Sequence, residues 1–187
     1  TPFIVTGANA TITDNKGSDT YIVDPSFGTL TIKDSTGAGY SNLIAQAYSS
    51  FNVQTDTIRF THLLASNATI TRDGNDLVIR ENGTSNLVRV KDNFAHDSSA
   101  SGLLFGGSAD HAIEQVVFAD GSAKTTVDIR RAVTEAQQTD GNDFIKGTAD
   151  PDLLQGGKGN DTLEAGDNGD MYKFNAGDGT DLIRFNN

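Results

Sequence analysis

The chain has no cysteine and no tryptophan, and only three histidines, three prolines and one methionine among its 187 residues. Without cysteine there is no disulfide framework, no thiolate zinc site and no thiol nucleophile. Long apolar runs are missing as well. The longest uninterrupted one is Val116 to Ala119, far short of the roughly 20 residues that a transmembrane helix needs, so no membrane span is expected. Positive charge is scarce: 14 Lys and Arg stand against 25 Asp and Glu, for a formal charge of -11. Nucleic acids and anionic membrane surfaces both call for a basic face, and this balance argues against either as a partner. The opening Thr1-Pro2-Phe3 carries neither a Met nor a signal sequence and reads as an internal cut from something longer. The length suits one domain or two small ones, with enough chain to bury a core.

What is present is unevenly placed. Residues 138 to 187 hold 10 acids, nine of them Asp, against 4 bases, together with nine of the 20 glycines. Glycine supplies backbone freedom and Asp supplies short oxygen ligands, so their coincidence suggests turns built around a hard cation. Composition alone also fits a solvated acidic tail; periodicity decides between the two. Written in nines from position 138, the chain reads QTDGNDFIK, GTADPDLLQ, GGKGNDTLE and AGDNGDMYK, and, after two extra residues, AGDGTDLIR. Asp occupies the sixth place every time, as Asp143, Asp152, Asp161, Asp170 and Asp181. An apolar residue occupies the eighth, as Ile145, Leu154, Leu163, Tyr172 and Ile183. The third unit alone fits the full pattern G-G-x-G-x-D-x-U-x, through Gly156, Gly157, Gly159, Asp161 and Leu163.

Such a unit is half a coil of a parallel β-roll: a six-residue turn with one fixed carboxylate, then a short strand with one inward apolar side chain. One nonapeptide cannot bury its own apolar residue, so units must stack. Two units make a coil, which sets the Asp143 and Asp161 turns side by side on one edge and Asp152 and Asp170 on the other. Stacked carboxylates repel unless a cation neutralises them, and all-oxygen donors suit Ca²⁺ rather than zinc or copper. Calcium is therefore expected to be a component of the fold, without which this tail is disordered.

On these residues the sequence resembles the RTX, or haemolysin-type calcium-binding, repeat proteins. The resemblance implies Ca²⁺ between neighbouring turns, bound by the sixth-place Asp and by turn carbonyls. Carried onto this chain, the ligand set is Asp143, Asp152, Gly156, Gly157, Gly159, Asp161, Gly166, Asp170, Gly177, Gly179 and Asp181. The second unit departs from the pattern, with Asp150-Pro151 where the family usually has Gly-Asn.

The fold class expected is all-β in three parts. Residues 138–187 form the calcium-binding roll. Residues 1–34 form a degenerate RTX-like coil, because aligning Asp19 with Asp170 also matches Tyr21 to Tyr172, Gly28 to Gly179, Thr29 to Thr180 and Ile32 to Ile183. Residues 35–137 form a β-rich segment resembling a domain that often accompanies RTX blocks, on the strength of Arg72-Asp73-Gly74-Asn75-Asp76-Leu77-Val78-Ile79 and of Ile113 to Gly121. There, residues 68 to 80 read as a hairpin around Asp73-Gly74-Asn75. Ile129, Ala132, Val133 and Ala136 recur at helical spacing, so one short helix is expected between 127 and 138.

Catalytic signals are lacking. His62, His96 and His111 are isolated, with no second His at i+3 or i+4. His96-Asp97-Ser98 has the residue types of a triad, but adjacent side chains in an extended chain point apart. No nucleophile elbow, P-loop or dinucleotide fingerprint appears. Asp24-Pro25 and Asp150-Pro151 raise calcium-triggered self-cleavage as a minor idea, without any resemblance to the module that performs it. No enzyme is expected. The resemblance implies a segment of a large secreted bacterial protein, extracellular or at the cell surface, exported by type I secretion machinery, the parent being a cytolysin, an adhesin or an extracellular enzyme. The alternative is a glycan- or peptide-binding module around Tyr40, Tyr48, Phe51, Phe94 and Phe105, with the roll as spacer.

Overall fold

The computed structural model describes residues 2–5, 9–14, 17–25, 27–34, 55–95, 113–148, 150–166 and 169–185. It is rich in strands and has one α-helix among the described residues. The first strands are β1 (Pro2–Val5), β2 (Ala10–Asp14), β3 (Thr20–Val23), β4 (Thr29–Asp34) and β5 (Thr57–Phe60). The hairpin β6 (Ala68–Asp73) and β7 (Asp76–Glu81) follows, then β8 (Leu87–Val90), β9 (Gln115–Val117) and β10 (Ala123–Thr125).

The chain alternates between two five-stranded sheets. One has the order β1-β3-β5-β9-β10, with parallel pairing from β1 through β9 and an antiparallel β10 at its edge. The other has the order β2-β4-β8-β7-β6, parallel from β2 to β8 and antiparallel through the hairpin. In β3 the inward Tyr21 and Val23 are buried, while Thr20 and Ile22 between them are half-buried, which is the period-2 pattern of a strand with one face on a core. Both sheets feed one apolar core that includes Tyr21, Phe27, Leu30, Ile58, Phe60, Leu77, Ile79, Val88 and Val116. Strands from the stretch 1–34 and from the stretch 35–137 thus pair within the same sheets and share that core.

The expected hairpin is present, with Gly74 at φ +60° in its turn. The expected helix spans Thr126–Glu135 (α1). It starts at a capping box in which the Thr125 backbone N–H donates to the Asp128 carboxylate at 3.0 Å, and it buries Ile129 and Val133 against the core. Its other buried residue of consequence is charged: Arg130.

Beyond α1 lie β11 (Phe144–Lys146), β12 (Leu153–Leu154), β13 (Thr162–Glu164), β14 (Met171–Tyr172) and β15 (Leu182–Arg184). β11, β13 and β15 pair in parallel, and so do β12 and β14. The register places Ile145, Leu163 and Ile183 in one row and Leu154 beside Tyr172 in another. These are the eighth-place residues of the repeat. Ile145, Leu154, Leu163 and Ala165 form a second, small buried cluster with Tyr172 packed against it. The place-seven residues Phe144, Leu153, Met171 and Leu182 are about half or more exposed, as outward positions should be.

Candidate metal centre

Each turn between these strands ends on its sixth-place Asp, immediately before the next strand, so strand pairing stacks the carboxylates. On one edge the Asp143 backbone N–H donates to Asp161 Oδ1 at 2.8 Å, and the Asp161 N–H donates to Asp181 Oδ1 at 3.0 Å. On the other edge the Asp152 N–H donates to Asp170 Oδ1 at 3.0 Å. The place-five Asn side chains run beside the first ladder, with Asn142 Oδ1 accepting from Asn160 N at 2.8 Å and Asn160 Oδ1 from Thr180 N at 2.9 Å. Backbone–carboxylate hydrogen bonds of this sort fix each side chain but leave its negative charge uncompensated.

The glycines make the approach possible. Gly157, Gly159, Gly166, Gly177 and Gly179 all lie at positive φ, where other residues are strained. A Cβ on Gly156 would stand 2.1 Å from Asp161 Oδ2, and one on Gly159 would meet the Gly141 carbonyl oxygen at 2.2 Å. At Gly156 and Gly159 the turn is therefore packed against the Asp161 carboxylate and the Gly141 carbonyl with no space for a side chain.

Asp161 is 1% exposed, and its Oδ2 has no hydrogen-bond partner among the described residues. A buried carboxylate oxygen left without a donor is costly unless a cation meets it. Among the described residues no three His, Asp or Glu side chains are grouped around one point. That is consistent with a centre in which one or two carboxylates are joined by turn carbonyls, as a hard cation with six to eight oxygen ligands allows. Oxygen donors, a glycine-lined backbone and an orphaned buried carboxylate oxygen together fit Ca²⁺.

The two edges are not equivalent. The first turn of each is fastened by a threonine at place two. Thr139 donates from its backbone N–H and its hydroxyl to Asp143 at 2.6 and 2.8 Å, and Thr148 donates in the same way to Asp152 at 2.5 and 3.0 Å. Burial pushes the Asp152 carboxyl above the usual carboxylate range; the Thr148 bonds and Arg130 pull it back, and Asp170 adds to the rise. Arg130 reaches from α1 to form a buried ion pair with Asp150 in the same turn. At the exposed end of the other edge, Lys158 Nζ pairs with Asp140 at 2.9 Å.

A third acidic ladder lies in the larger unit, where the sequence reading had singled out Asp19 alone. The Asp19 backbone N–H donates to Asp56 Oδ1 at 2.7 Å, and the Asp56 N–H donates to Glu114 Oε2 at 2.6 Å. Asp19, Asp56 and Glu114 each stand just before a strand of the first sheet, as the repeat Asp residues do before theirs. Gly17, at φ +113°, is the counterpart of Gly159 at +122°. Burial pushes Asp56 up to about 6, opposed by the Asp19 backbone hydrogen bond and reinforced by Asp34, Asp19 and Asp14. The pattern acid-x-apolar in Asp56-Thr57-Ile58 and Glu114-Gln115-Val116 was its only sequence signal.

Of the aromatics considered for a ligand site, Phe94 is 1% exposed and lies under the Arg72 guanidinium at 4.7 Å. Tyr40, Tyr48, Phe51 and Phe105, together with His96 and His111, lie outside the described residues. His62 sits 3.6 Å from Glu81 and next to the Phe27 ring.

Stacked parallel strands with glycine turns and sixth-place carboxylates define a tandem calcium-binding repeat. Two family models match parts of the chain: residues 138–172 match the RTX calcium-binding nonapeptide repeat, in four copies, and residues 76–123 match the haemolysin-type calcium binding protein related domain. The block 138–172 consists of RTX haemolysin-type repeats, whose cofactor is Ca²⁺. No curated protein matches the chain.

Proposed function

We propose that this chain is the calcium-binding repeat segment of a large secreted bacterial protein, exported by type I secretion and folded by calcium on the outside. Both sets of alternating parallel strands are taken as β-rolls, one metal-independent and one calcium-dependent. The parent is a cytolysin, an adhesin or an extracellular enzyme; the segment itself has no catalytic role. Calcium in the turn region is bound by Asp143, Asp161 and Asp181 with the carbonyls around Gly156, Gly157, Gly159, Gly177 and Gly179 on one edge, and by Asp152 and Asp170 with Gly166 on the other. The observation that carries this reading is the buried Asp161 Oδ2, without a donor among the described residues and pressed against Gly156, where a Cβ has no space.

Extracellular calcium modules bind at roughly 10⁻⁴ to 10⁻³ M, so millimolar calcium outside a cell fills such sites and a calcium-poor cytosol leaves them empty. The order of export and folding follows from that difference. Far-UV circular dichroism during a calcium titration from an EGTA-treated start tests it. A gain of β signal with calcium but not with magnesium is expected, and Asp161→Asn should abolish most of that gain. A spectrum that does not move with calcium would remove this reading.

A further inference from the structure

The second repeat unit, Gly147 to Gln155, breaks the pattern at place four. Units one, three and five have glycine there, as Gly141, Gly159 and Gly179, and Gly159 and Gly179 take φ +122° and +114°. Unit two has Asp150, which is 7% exposed and is absent from the residues with positive φ. The turn therefore lacks the left-handed step seen at Gly159 and Gly179, and it places a buried carboxylate at that position. Two buried acids, Asp150 and Asp152, then sit two residues apart, next to Asp170 of the neighbouring turn on the same edge.

The cation that faces them belongs to the protein. Arg130 is 8% exposed on α1, its guanidinium is paired with Asp150 Oδ2, and its charge also acts on Asp152. The helix that carries it is fixed in the large core by Ile129 and Val133, so the charge is delivered from a rigid element. Around it, the first coil is tied down at two more points. Gln137 pairs with β11 as a strand would, accepting from Lys146 N–H at 2.9 Å and donating to Lys146 O at 3.0 Å. Arg72 Nη1 donates to the Gly147 carbonyl at 3.0 Å. Thr148 fills two acceptor positions of Asp152. A calcium ion placed in this turn would meet a buried guanidinium already paired with Asp150.

We propose that Arg130 is the resident cation of the 147–152 turn, replacing calcium there, so that the first coil of the repeat block folds on the helix without metal and serves as the template on which the calcium-filled coils assemble. This rests on the calcium reading of the later turns and departs from the ligand set given above at Asp152, whose turn is neutralised by Arg130 through Asp150 rather than by Ca²⁺. Templating matters physically because one nonapeptide coil has almost no core of its own and cannot start the stack unaided.

Hydrogen exchange read by mass spectrometry on the whole chain separates the possibilities. In EGTA, peptides over 147–154 are expected to be protected while those over 156–164 exchange freely; added calcium should protect 156–164 and 176–184 and leave 147–154 unchanged. If 147–154 gains protection only with calcium, together with 156–164, the proposal is overturned and the calcium reading stands. If no peptide responds to calcium, both fall. Arg130→Gln should then transfer 147–154 to the calcium-dependent class, with exchange in EGTA faster by about a hundredfold, or ~2.8 kcal/mol at 1.4 kcal/mol per tenfold, and partly recovered in calcium. Arg130→Lys, which keeps the charge, should retain most of the protection; loss as complete as in Arg130→Gln would overturn the counter-ion role. The wild-type comparison keeps the proposal falsifiable even if Arg130→Gln does not fold.

Discussion

The two parts of this molecule stack parallel strands by the same rule and hold them by different means. The unit before α1, with the helix, buries 20 apolar side chains in one described cluster, among them Tyr21, Phe27, Phe60 and Phe94. The repeat block buries four, with Tyr172 alongside. Each also stacks acids before its strands: Asp19, Asp56 and Glu114 in the first part, Asp143, Asp161 and Asp181 in the second. A large core stabilises its fold in spite of such a ladder, whereas a core of four aliphatic residues does not, so on the proposed reading the second part is the one that depends on a cation.

The largest test of that contrast is to remove one core residue from each part. Phe60 is 1% exposed and stacks against Phe118 at a centroid distance of 5.9 Å. Phe60→Ala should cost about 3–5 kcal/mol, the same in EGTA and in calcium, as read from urea midpoints of the larger unit. Leu163, fully buried in the small cluster, should behave differently. Leu163→Ala should cost about 2–5 kcal/mol in calcium and have no measurable effect in EGTA, where the repeat coils it belongs to are already open. Equal losses in both buffers for Leu163→Ala would mean that the second core stands without metal.

How much of this was legible in the sequence follows the same division. In residues 138–187 the nine-residue period is unbroken apart from two inserted residues, so the strands, their register and the two rows of Asp could be read from spacing alone. In the larger unit Asp19, Asp56 and Glu114, which lead paired strands of one sheet, are 37 and 58 residues apart in sequence. A fixed period cannot survive spacings of that size. Residues 1–34 therefore looked like a separate degenerate coil, and the pairing of β3 with β5 and of β4 with β8 was hidden. Arg130 was missed for another reason: helical spacing marks which face is apolar, and a buried charge on that face becomes visible only when its partner, Asp150, is placed by tertiary structure.

The acidic ladder of the larger unit allows the contrast to be sharpened through pH. Asp56 is 4% exposed and is pushed up to about 6, so the folded state holds a proton that the unfolded state, near 3.8, has released. Stability from this group is fully present below about pH 4 and is lost as pH rises towards 6, because over that window the folded form binds more protons. A two-unit shift is worth up to about 2.7 kcal/mol; partial solvent screening of the ladder reduces that to ~1–2 kcal/mol. Asp56→Asn keeps the acceptor used by the Asp19 N–H and removes the charge. It should flatten the pH dependence between 4 and 6 and raise the melting temperature at pH 7.5. A steeper profile, or a lower melting temperature at pH 7.5, would mean that Asp56 is needed as a carboxylate and that the first ladder also holds a cation.

The smallest expected effect is at Lys158. Its ammonium pairs with Asp140 across the turns of the Asp143 and Asp161 edge, but both side chains are well exposed, 69% and 82%. Exposed pairs of this kind contribute little to stability and are screened by salt, so Lys158→Ala should leave the calcium-loaded melting temperature unchanged. The same positive charge nevertheless sits at place three of the complete repeat, three residues from the carboxylate that meets calcium. Removing it lowers the local positive potential that an incoming divalent cation must overcome. Calcium affinity should therefore rise modestly, by about twofold at low salt, and the gain should vanish at high ionic strength, where the Debye length falls to ~3 Å. Isothermal titration at two salt concentrations reads both terms. A loss of affinity in Lys158→Ala would instead make the Lys158–Asp140 pair part of the turn's scaffold, and would bring this edge closer to the Arg130-supported one than their burial suggests.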